Sequence, residues 1–491
     1  MRLWIGLHLP RLPLEVFCPR WSADVGTAVL EHEVVLAVSG VAERAGVRPG
    51  MRRGGALMLA PEVALHERAP AQEAEALHAV AMTLLQYTPQ VTEGEEATLL
   101  LDVGASLRLF GGIRRLCGLV RESLRALGFT AVLGVAPTAR GAWLLARSGA
   151  GRSLTIEKME RRLQGLPVSL LLPARPYLAW LEGIGCFSVG DLARLPRPGL
   201  QRRCGRALLD VLDAARGHTA EMFRWIEAPP SFRAKLELFG RIEDADLLLA
   251  GARRLLQQMT GWLCARQFAV ERISLLLEHE RGRVARPPTA IDIILAEAVW
   301  HDEHLVRLLK ERLAKLVLEA PVIGLCLEAL QVKPMAPHSD SLFPEPGGSK
   351  EDRLRLFELL VARLGADNVL QAVPRADHRP EYANGWAPVQ DKVRPADVVA
   401  SLPPGSLPRP AWLLARPIAL LVRNHRPFYC SPLRMVSSAE RIEAGWWGET
   451  QTRDYFIAQG EDNAHYWVYR ERLTGTEDDT EPRWYLHGLF G

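Results

Sequence analysis

Short apolar runs alternate with helical periods over the first third of the chain, the pattern of an α/β domain. LWIGLHL (3–9) reads as a first strand, and VVLAV (34–38) as another, bounded by Gly40. From Pro70 to Gln86 the acids Glu73 and Glu75 stand early, while Leu77, Val80, Ala81 and Leu84 share one face, which predicts a helix. TLLLDV (98–103) is a short buried strand, residues 107–128 predict a helix stopped at Gly128, and AVLGVA (131–136) predicts a strand leading into a helix through ARGAWLLARSG. Residues 166–230 read as all-helical. Residues 231–335 give a strand (AKLELF), a long helix (244–267), a strand (VERISLLLE), a Pro-interrupted stretch, a helix (301–317) and a strand (IGLCLEAL), together a small α+β sandwich. Residues 333–350 have no period and carry Pro, Ser and Gly, so they form a linker. A helix over 351–364 follows, then a Pro-rich passage to about 417. Strand patterns at RDYFIAQ, AHYWVYRER and PRWYLHGLF predict a β-rich C-terminal module.

At 491 residues this pattern is too long for one core, so the chain is multidomain. Its 48% hydrophobic and 24% charged content excludes a disordered or collagen-like chain. No apolar run reaches the roughly 18 residues of a membrane helix, and the first apolar stretch is too short and too soon broken by prolines for a signal peptide. The seven cysteines are scattered and never form a CxxC pair, which predicts reduced thiols in a cytoplasmic protein and no zinc site. A net charge of +3 means that any nucleic-acid contact must come from local patches. Only seven of the 60 basic residues are lysines, and the first is Lys158; codon bias in a GC-rich genome accounts for that preference, but it leaves the first third of the chain no lysine for a phosphate.

The helical region carries Gly183-Ile184-Gly185 between two helical stretches. A Gly-x-Gly hairpin has two readings. It is a tight helix turn, or it brings backbone N–H groups to a phosphate without Cβ interference, with Arg202, Arg203 and Arg206 on neighbouring phosphates.

Several segments in order resemble the Y-family of translesion DNA polymerases. AERAGVRPGM (42–51) resembles the fingers motif, LLLDVGAS (99–106) the strand after the second palm motif, LGVAPTARGAWLLARSG (133–149) the third palm motif, and LEGIGCFSVGDLARLP the thumb. The resemblance covers roughly residues 1–335. It implies a multidomain α/β and α+β fold: a palm/fingers-like domain (1–165), a helix-hairpin-helix thumb (166–230) and a little-finger-like domain (231–335). A linker with a helix (336–370) and a β-rich C-terminal partner-binding region (371–491) complete the chain.

Two-metal nucleotidyl transfer needs carboxylates on Mg²⁺ ions about 3.5–4 Å apart, and Mg²⁺ demands oxygen ligands. By resemblance, the family's four acidic positions fall on His8, Pro10, Ala97 and Thr98, none of them acidic. The family's nucleotide contacts fall on Gly40, Glu43, Thr138 and Ala139, and the sugar-checking aromatics on Leu12 and Pro13. Glu15, Glu93, Glu95 and Glu96 lie nearby, but rescue by them requires register changes in both motifs, because each residue of slip turns a strand side chain to the other face. As isolated residues, Glu93, Glu95 and Glu96 read as a solvated loop.

A polymerase-like chain without its metals resembles the ImuB-type group of bacterial inducible-mutagenesis cassettes. ADHRPEYA (376–383), SPLRMVSSAERIEAGWW (431–447), RDYFIAQ, WVYRER and WYLHGLFG resemble that group's tail segments. The tail's aromatics either core a small β-module or anchor an interface, with Trp446 and Trp447 the surface-like pair beside Gly445 and Gly448. In the linker, Ser339, Leu342 and Phe343 resemble a sliding-clamp peptide with Ser339 at its Gln position. The resemblance implies a non-catalytic adaptor in damage-induced mutagenic translesion synthesis, without metal or cofactor. Its implied partners are DNA at the Gly183–Gly185 hairpin with Arg202 and Arg203, the β sliding clamp, a RecA-like accessory protein and an error-prone C-family polymerase. The alternative is an active Mg²⁺-dependent lesion-bypass polymerase with relocated carboxylates.

Overall fold

A strand buried along nearly its whole length, β1 (Trp4–His8), opens the chain and leads into a short helix, α1 (Leu12–Glu15). The computed structural model describes residues 2–19, 26–280, 286–335, 350–375, 377–391, 408–444, 451–472 and 483–490. They fall into two units, Met1–Leu359 and Leu360–Gly491.

In the first unit, β2 (Thr27–Glu31) and β3 (Val34–Val38) form a hairpin, followed by α2 (Gly40–Arg44) and α3 (Arg53–Leu59). β4 (Ala64–Glu67) then joins β2 in parallel, and this small sheet has its own core around Ala28, Leu30, Val35 and Val47. Next come α4 (Pro70–Leu84), β5 (Val91–Gly94), β6 (Thr98–Asp102), α5 (Ile113–Ala126), β7 (Val132–Ala136) and α6 (Ala139–Ser148). α5 starts six residues later than its apolar period suggests, because Gly111 and Gly112 both take positive φ and interrupt the turn before it.

An antiparallel sheet in the order β5-β6-β1-β7 puts β1 at its centre, with His8 opposite Thr98 on one side and Val132 on the other. Gly6 and Gly134 sit side by side in this register and make a bare patch on which the α6 main chain rests. A methyl group on either would come within 3.0 Å of α6 backbone atoms around Ala142. The helix is therefore laid directly on the sheet, and this fixes the height of its side chains above the strand ends.

The helical part contains α7 (Ile156–Gln164), a 3₁₀ stretch (Leu172–Tyr177), α8 (Leu178–Gly183), α9 (Val189–Arg194), α10 (Arg197–Cys204) and α11 (Arg206–Arg216). Trp143, Leu144 and Leu145 of α6 share one core with Leu181, Leu192, Leu208 and Leu212. Helix does not continue to residue 230 as expected: Gly217 ends α11 in the left-handed conformation. The apolar residues beyond it form a strap instead, with Phe223 and Trp225 packed on Trp4 at ring-centroid distances of 4.6 and 6.1 Å.

β8 (Arg233–Ile242), α12 (Ala245–Arg266), β9 (Phe268–His279), β10 (Thr289–Val299), α13 (Asp302–Leu313) and β11 (Val322–Pro334) build the α+β part, with sheet order β10-β9-β11-β8. β10 occupies part of the stretch read as merely Pro-interrupted. It starts just after Pro287-Pro288 and buries Ile291, Ile293 and Leu295 at alternate positions, as an edge strand should. α14 (Lys350–Leu364) spans the division between the units, and its Glu358 is buried against His304 and accepts the Ala296 N–H at 2.6 Å.

In the second unit β12 (Leu370–Pro374) pairs with β13 (Asn384–Pro388). β14 (Trp412–Arg423), β15 (Arg426–Tyr429), β16 (Ser431–Pro432), β17 (Arg434–Met435), β18 (Glu440–Ala444), β19 (Gln451–Gln459), β20 (His465–Glu471) and β21 (Trp484–Leu489) form one sheet in the order β16-β15-β14-β21-β20-β19-β17, with β18 also on β19. The last three strands match their sequence pattern; β12, β13 and the start of β14 lie within the passage read only as Pro-rich. Tyr455, Trp467, Tyr469 and His487 stack in a buried cluster, with Tyr455 and Trp467 rings 4.1 Å apart, so these aromatics form core. On β19, Asp454 is buried and accepts hydrogen bonds from Arg441 (3.0 Å), Arg470 (3.1 Å) and Arg472 (2.9 Å).

Candidate functional site

The positions to which the resemblance assigns the family's metal carboxylates gather at one end of β1 and β6. His8 is the last residue of β1 and pairs with Thr98, the first of β6, while the Leu9 N–H donates to the Ala97 carbonyl at 3.0 Å. Thr98 is buried, and its hydroxyl donates to the Glu96 carbonyl; Pro10 is exposed. Glu96 and Ala97 both take positive φ in the loop that joins β5 to β6, a tight turn paid in backbone strain by two non-glycine residues.

What faces this turn is basic. Along α6, Arg140, Trp143 and Arg147 recur at helical spacing on one face. Arg140 binds the Glu95 carboxylate at 2.7 Å, the Trp143 indole N–H donates to the Glu95 carbonyl at 3.1 Å, and Arg147 binds Glu96. The guanidiniums of Arg140 and Arg147 lie over the Trp143 ring at 5.4 and 5.6 Å. A third guanidinium, Arg175 from the 3₁₀ stretch, takes both oxygens of Glu96, the longer bond at 3.1 Å. One carboxylate thus bridges the α/β part and the helical part through two arginines.

Arg147 also donates to His8 Nε2 at 3.3 Å. An arginine cannot accept, so Nε2 is the unprotonated nitrogen, and Nδ1 is buried without a partner among the described residues. Burial first, and Arg147 second, hold the imidazole below its usual pKa. His8 is therefore a neutral ring held against an arginine.

The other carboxylates weighed for rescue are engaged elsewhere. Glu15 is buried and accepts the Thr130 N–H at 2.8 Å, and Glu93 lies 3.8 Å from His78. Thr138 caps α6 by accepting from the Gly141 N–H, and Ala139 is buried. The Arg140 N–H at the start of that helix donates to Glu221 at 3.2 Å, so a carboxylate of the chain itself stands at the positive helix end; burial raises its pKa despite Arg140. Glu43 pairs with Arg48 at 3.2 Å, and Gly40 opens α2. Among the described residues, no group of three or more His, Cys, Asp or Glu side chains is placed to hold a metal ion.

Gly183, Ile184 and Gly185 form the exposed turn after α8, with Gly185 at φ 77°. The amides do not point out as expected of a phosphate cradle. Ile184 N–H donates to Trp180 and Leu181, and Gly185 N–H to Glu182. The Ser188 N–H donates to Asp191, which completes a capping box on α9. Ile184 and Phe187 are exposed at the tip, and Arg202 and Arg203 are exposed at the end of α10, with Arg203 over Trp180 at 5.5 Å. Ser339, Leu342, Phe343, Trp446 and Trp447 lie outside the described residues.

The sequence reading missed Arg140, Arg147 and Arg175. The first two were visible as an arginine–tryptophan–arginine face on a predicted helix; nothing local marks Arg175.

A family model described as the impB/mucB/samB family matches residues 20–147. Protein ImuB of Caulobacter vibrioides (strain NA1000 / CB15N) is 27% identical over 479 residues, covering 91% of this chain and 100% of that protein. Protein ImuB of strain ATCC 19089 / CIP 103742 / CB 15 matches with the same identity and coverage. Among solved structures, a Dbh ternary complex is similar at a TM-score of 0.38 and 16% identity, over 66% of this chain and 98% of that one. An insertion ternary complex of Dbh DNA polymerase gives 0.36 and 16% over the same shares. The chain is a homologue of the Y-family DNA polymerases, with a mixed α/β fold and a β-rich C-terminal region. Within that class, the match along nearly its whole length to two ImuB proteins supports the ImuB type. Among the described residues no helix is long and apolar enough to cross a membrane.

Proposed function

We propose that this chain is a non-catalytic adaptor of damage-induced mutagenic translesion synthesis. The observation that carries the reading is the arginine face. Glu95 and Glu96, the carboxylates nearest the expected metal positions, are already neutralised by Arg140, Arg147 and Arg175. Mg²⁺ would have to compete at both carboxylates with guanidiniums already bound there. Residues 1–165, 166–230 and 231–335 would correspond to palm and fingers, thumb and little finger. DNA would lie against the Gly183–Gly185 turn, through its exposed tip and the Arg202 and Arg203 side chains rather than through the turn's amides. The Ser339–Phe343 peptide would bind the sliding clamp. The C-terminal region, with Trp446 and Trp447, would recruit a RecA-like accessory protein and the error-prone C-family polymerase that performs the chemistry. The relationship to ImuB supports a role in mutagenesis.

Primer extension on undamaged and lesion-bearing templates, with Mg²⁺ or Mn²⁺, tests the reading. The expected result is no incorporation above background. Robust incorporation that Glu95→Ala or Glu96→Ala abolishes would establish the alternative, an active lesion-bypass polymerase with relocated carboxylates.

A further inference from the structure

Away from the strand ends, α4, α12 and β8 line a half-open cavity of about 920 Å³, a volume in the range of small-molecule sites. Its walls are half apolar, with Met82, Phe232 and Leu236 among them, and half polar or charged. Arg254 on α12 lines it and is 6% exposed. Its guanidinium lies over the Phe129 ring at 4.9 Å, and its buried Nε has no hydrogen-bond partner. No carboxylate among the described residues forms an ion pair with it.

The other cations of the lining are matched. Lys235 binds Glu278 at 2.7 Å, Arg233 binds Glu328 at 3.0 Å, and His78 lies 3.8 Å from Glu93. Arg254 alone among these lining cations has no ion pair among the described residues, and arginines are rarely buried so completely without a counter-charge. A second orphan lies in the same lining: the buried Gln72 Oε1, an acceptor without a donor. One wall therefore lacks an anion and another lacks an N–H or O–H group.

We propose that this cavity binds a peptide-like carboxylate, with its oxygens on the Arg254 guanidinium, an adjacent N–H on Gln72 and an apolar side chain against Met82, Phe232 and Leu236. A guanidinium fork matches a carboxylate edge-on. Glu75, Glu93, Glu237 and Glu278 line the same space, so a singly charged carboxylate meets less repulsion there than a phosphate dianion. The ligand fits as an acidic side chain or a chain terminus, and both present the same group. The proposal is independent of the adaptor reading, since none of its residues belongs to the strand-end site.

The test is calorimetric titration of the full chain with N-acetyl-phenylalanine, its neutral amide, and phenyl phosphate. Saturable binding of the acid is expected, at least tenfold weaker for the amide and for the acid on Arg254→Met. Arg254→Lys keeps the charge without the fork and should fall between, which also covers a failure of Arg254→Met to fold. A probe made with the acid at a chain terminus against one with it on an aspartyl side chain separates the two sources. Equal affinity for acid and amide, binding unaffected by Arg254→Met, tighter binding of phenyl phosphate, or no binding of the acid overturns the proposal.

Discussion

Asp454→Asn tests whether the arginine cluster of the second unit is held by charge. Burial pushes the Asp454 carboxyl up, but hydrogen bonds from Arg441, Arg472 and Arg470 outweigh it and leave the pKa at about 2, against an ordinary 3.8. That difference is worth about 2.5 kcal/mol at neutral pH. The Arg441 and Arg472 side chains are each 48% exposed, so solvent screening reduces the figure to about 1–2 kcal/mol. A carboxylate whose folded pKa is depressed stabilises the fold above its unfolded pKa and loses that contribution as pH falls through the folded one. The stability gap between the wild type and Asp454→Asn should therefore be full at pH 5–7 and close between about pH 4 and 2. His487 supplies a separate acid effect. Burial lowers its pKa to about 4, so the neutral ring stabilises the fold above its ordinary 6.5, and falling pH from 6.5 towards 4 weakens both proteins alike. Urea unfolding followed by far-UV circular dichroism across this range separates the two windows. A variant within about 0.5 kcal/mol of wild type at pH 7, or a gap unchanged at pH 2, would refute the charge argument.

Gly134→Ala should cost about 3 kcal/mol or more in urea unfolding, because the added methyl meets α6 backbone atoms rather than movable side chains; a loss below 1 kcal/mol would mean the helix can lift freely. Leu342→Ala with Phe343→Ala should abolish clamp pull-down, and retained binding would place the clamp contact elsewhere. Trp446→Ala with Trp447→Ala should lose accessory-protein binding while DNA binding persists; loss of both would indicate a folding role. Point variants serve better than removal of residues 431–491, since β21 pairs directly with β14 and the cut would dismantle the sheet.

The strand-end site was partly legible because strands carry their geometry in their order. The two strands were readable from their apolar runs, while the meeting of His8 and Thr98 came from the family resemblance, and the structure pairs them. The arginines answering Glu95 and Glu96 were less legible. Arg140 and Arg147 needed only helical spacing, but Arg175 reaches Glu96 from a 3₁₀ stretch 79 residues away, and no local pattern encodes such a meeting. Glu95 and Glu96, read as a solvated loop, are bound for the same reason. β10 was hidden by the two prolines at its entrance, although its alternation of Ile291, Ile293 and Leu295 was there to be counted. The strap through Phe223 and Trp225 looked helical by neighbourhood, but the Trp4 ring beneath it and hydrogen bonds to Val91 and Thr92 hold it in an extended path.

The bare contact between Gly6, Gly134 and α6 has a consequence for how this chain can vary. Because main chain rests on main chain, the stance of Arg140 and Arg147 over the hairpin is set without any side-chain volume at the contact. The two glycines, 128 positions apart in sequence and adjacent in register, are bound to a common fate: a β-carbon at either lifts the same helix.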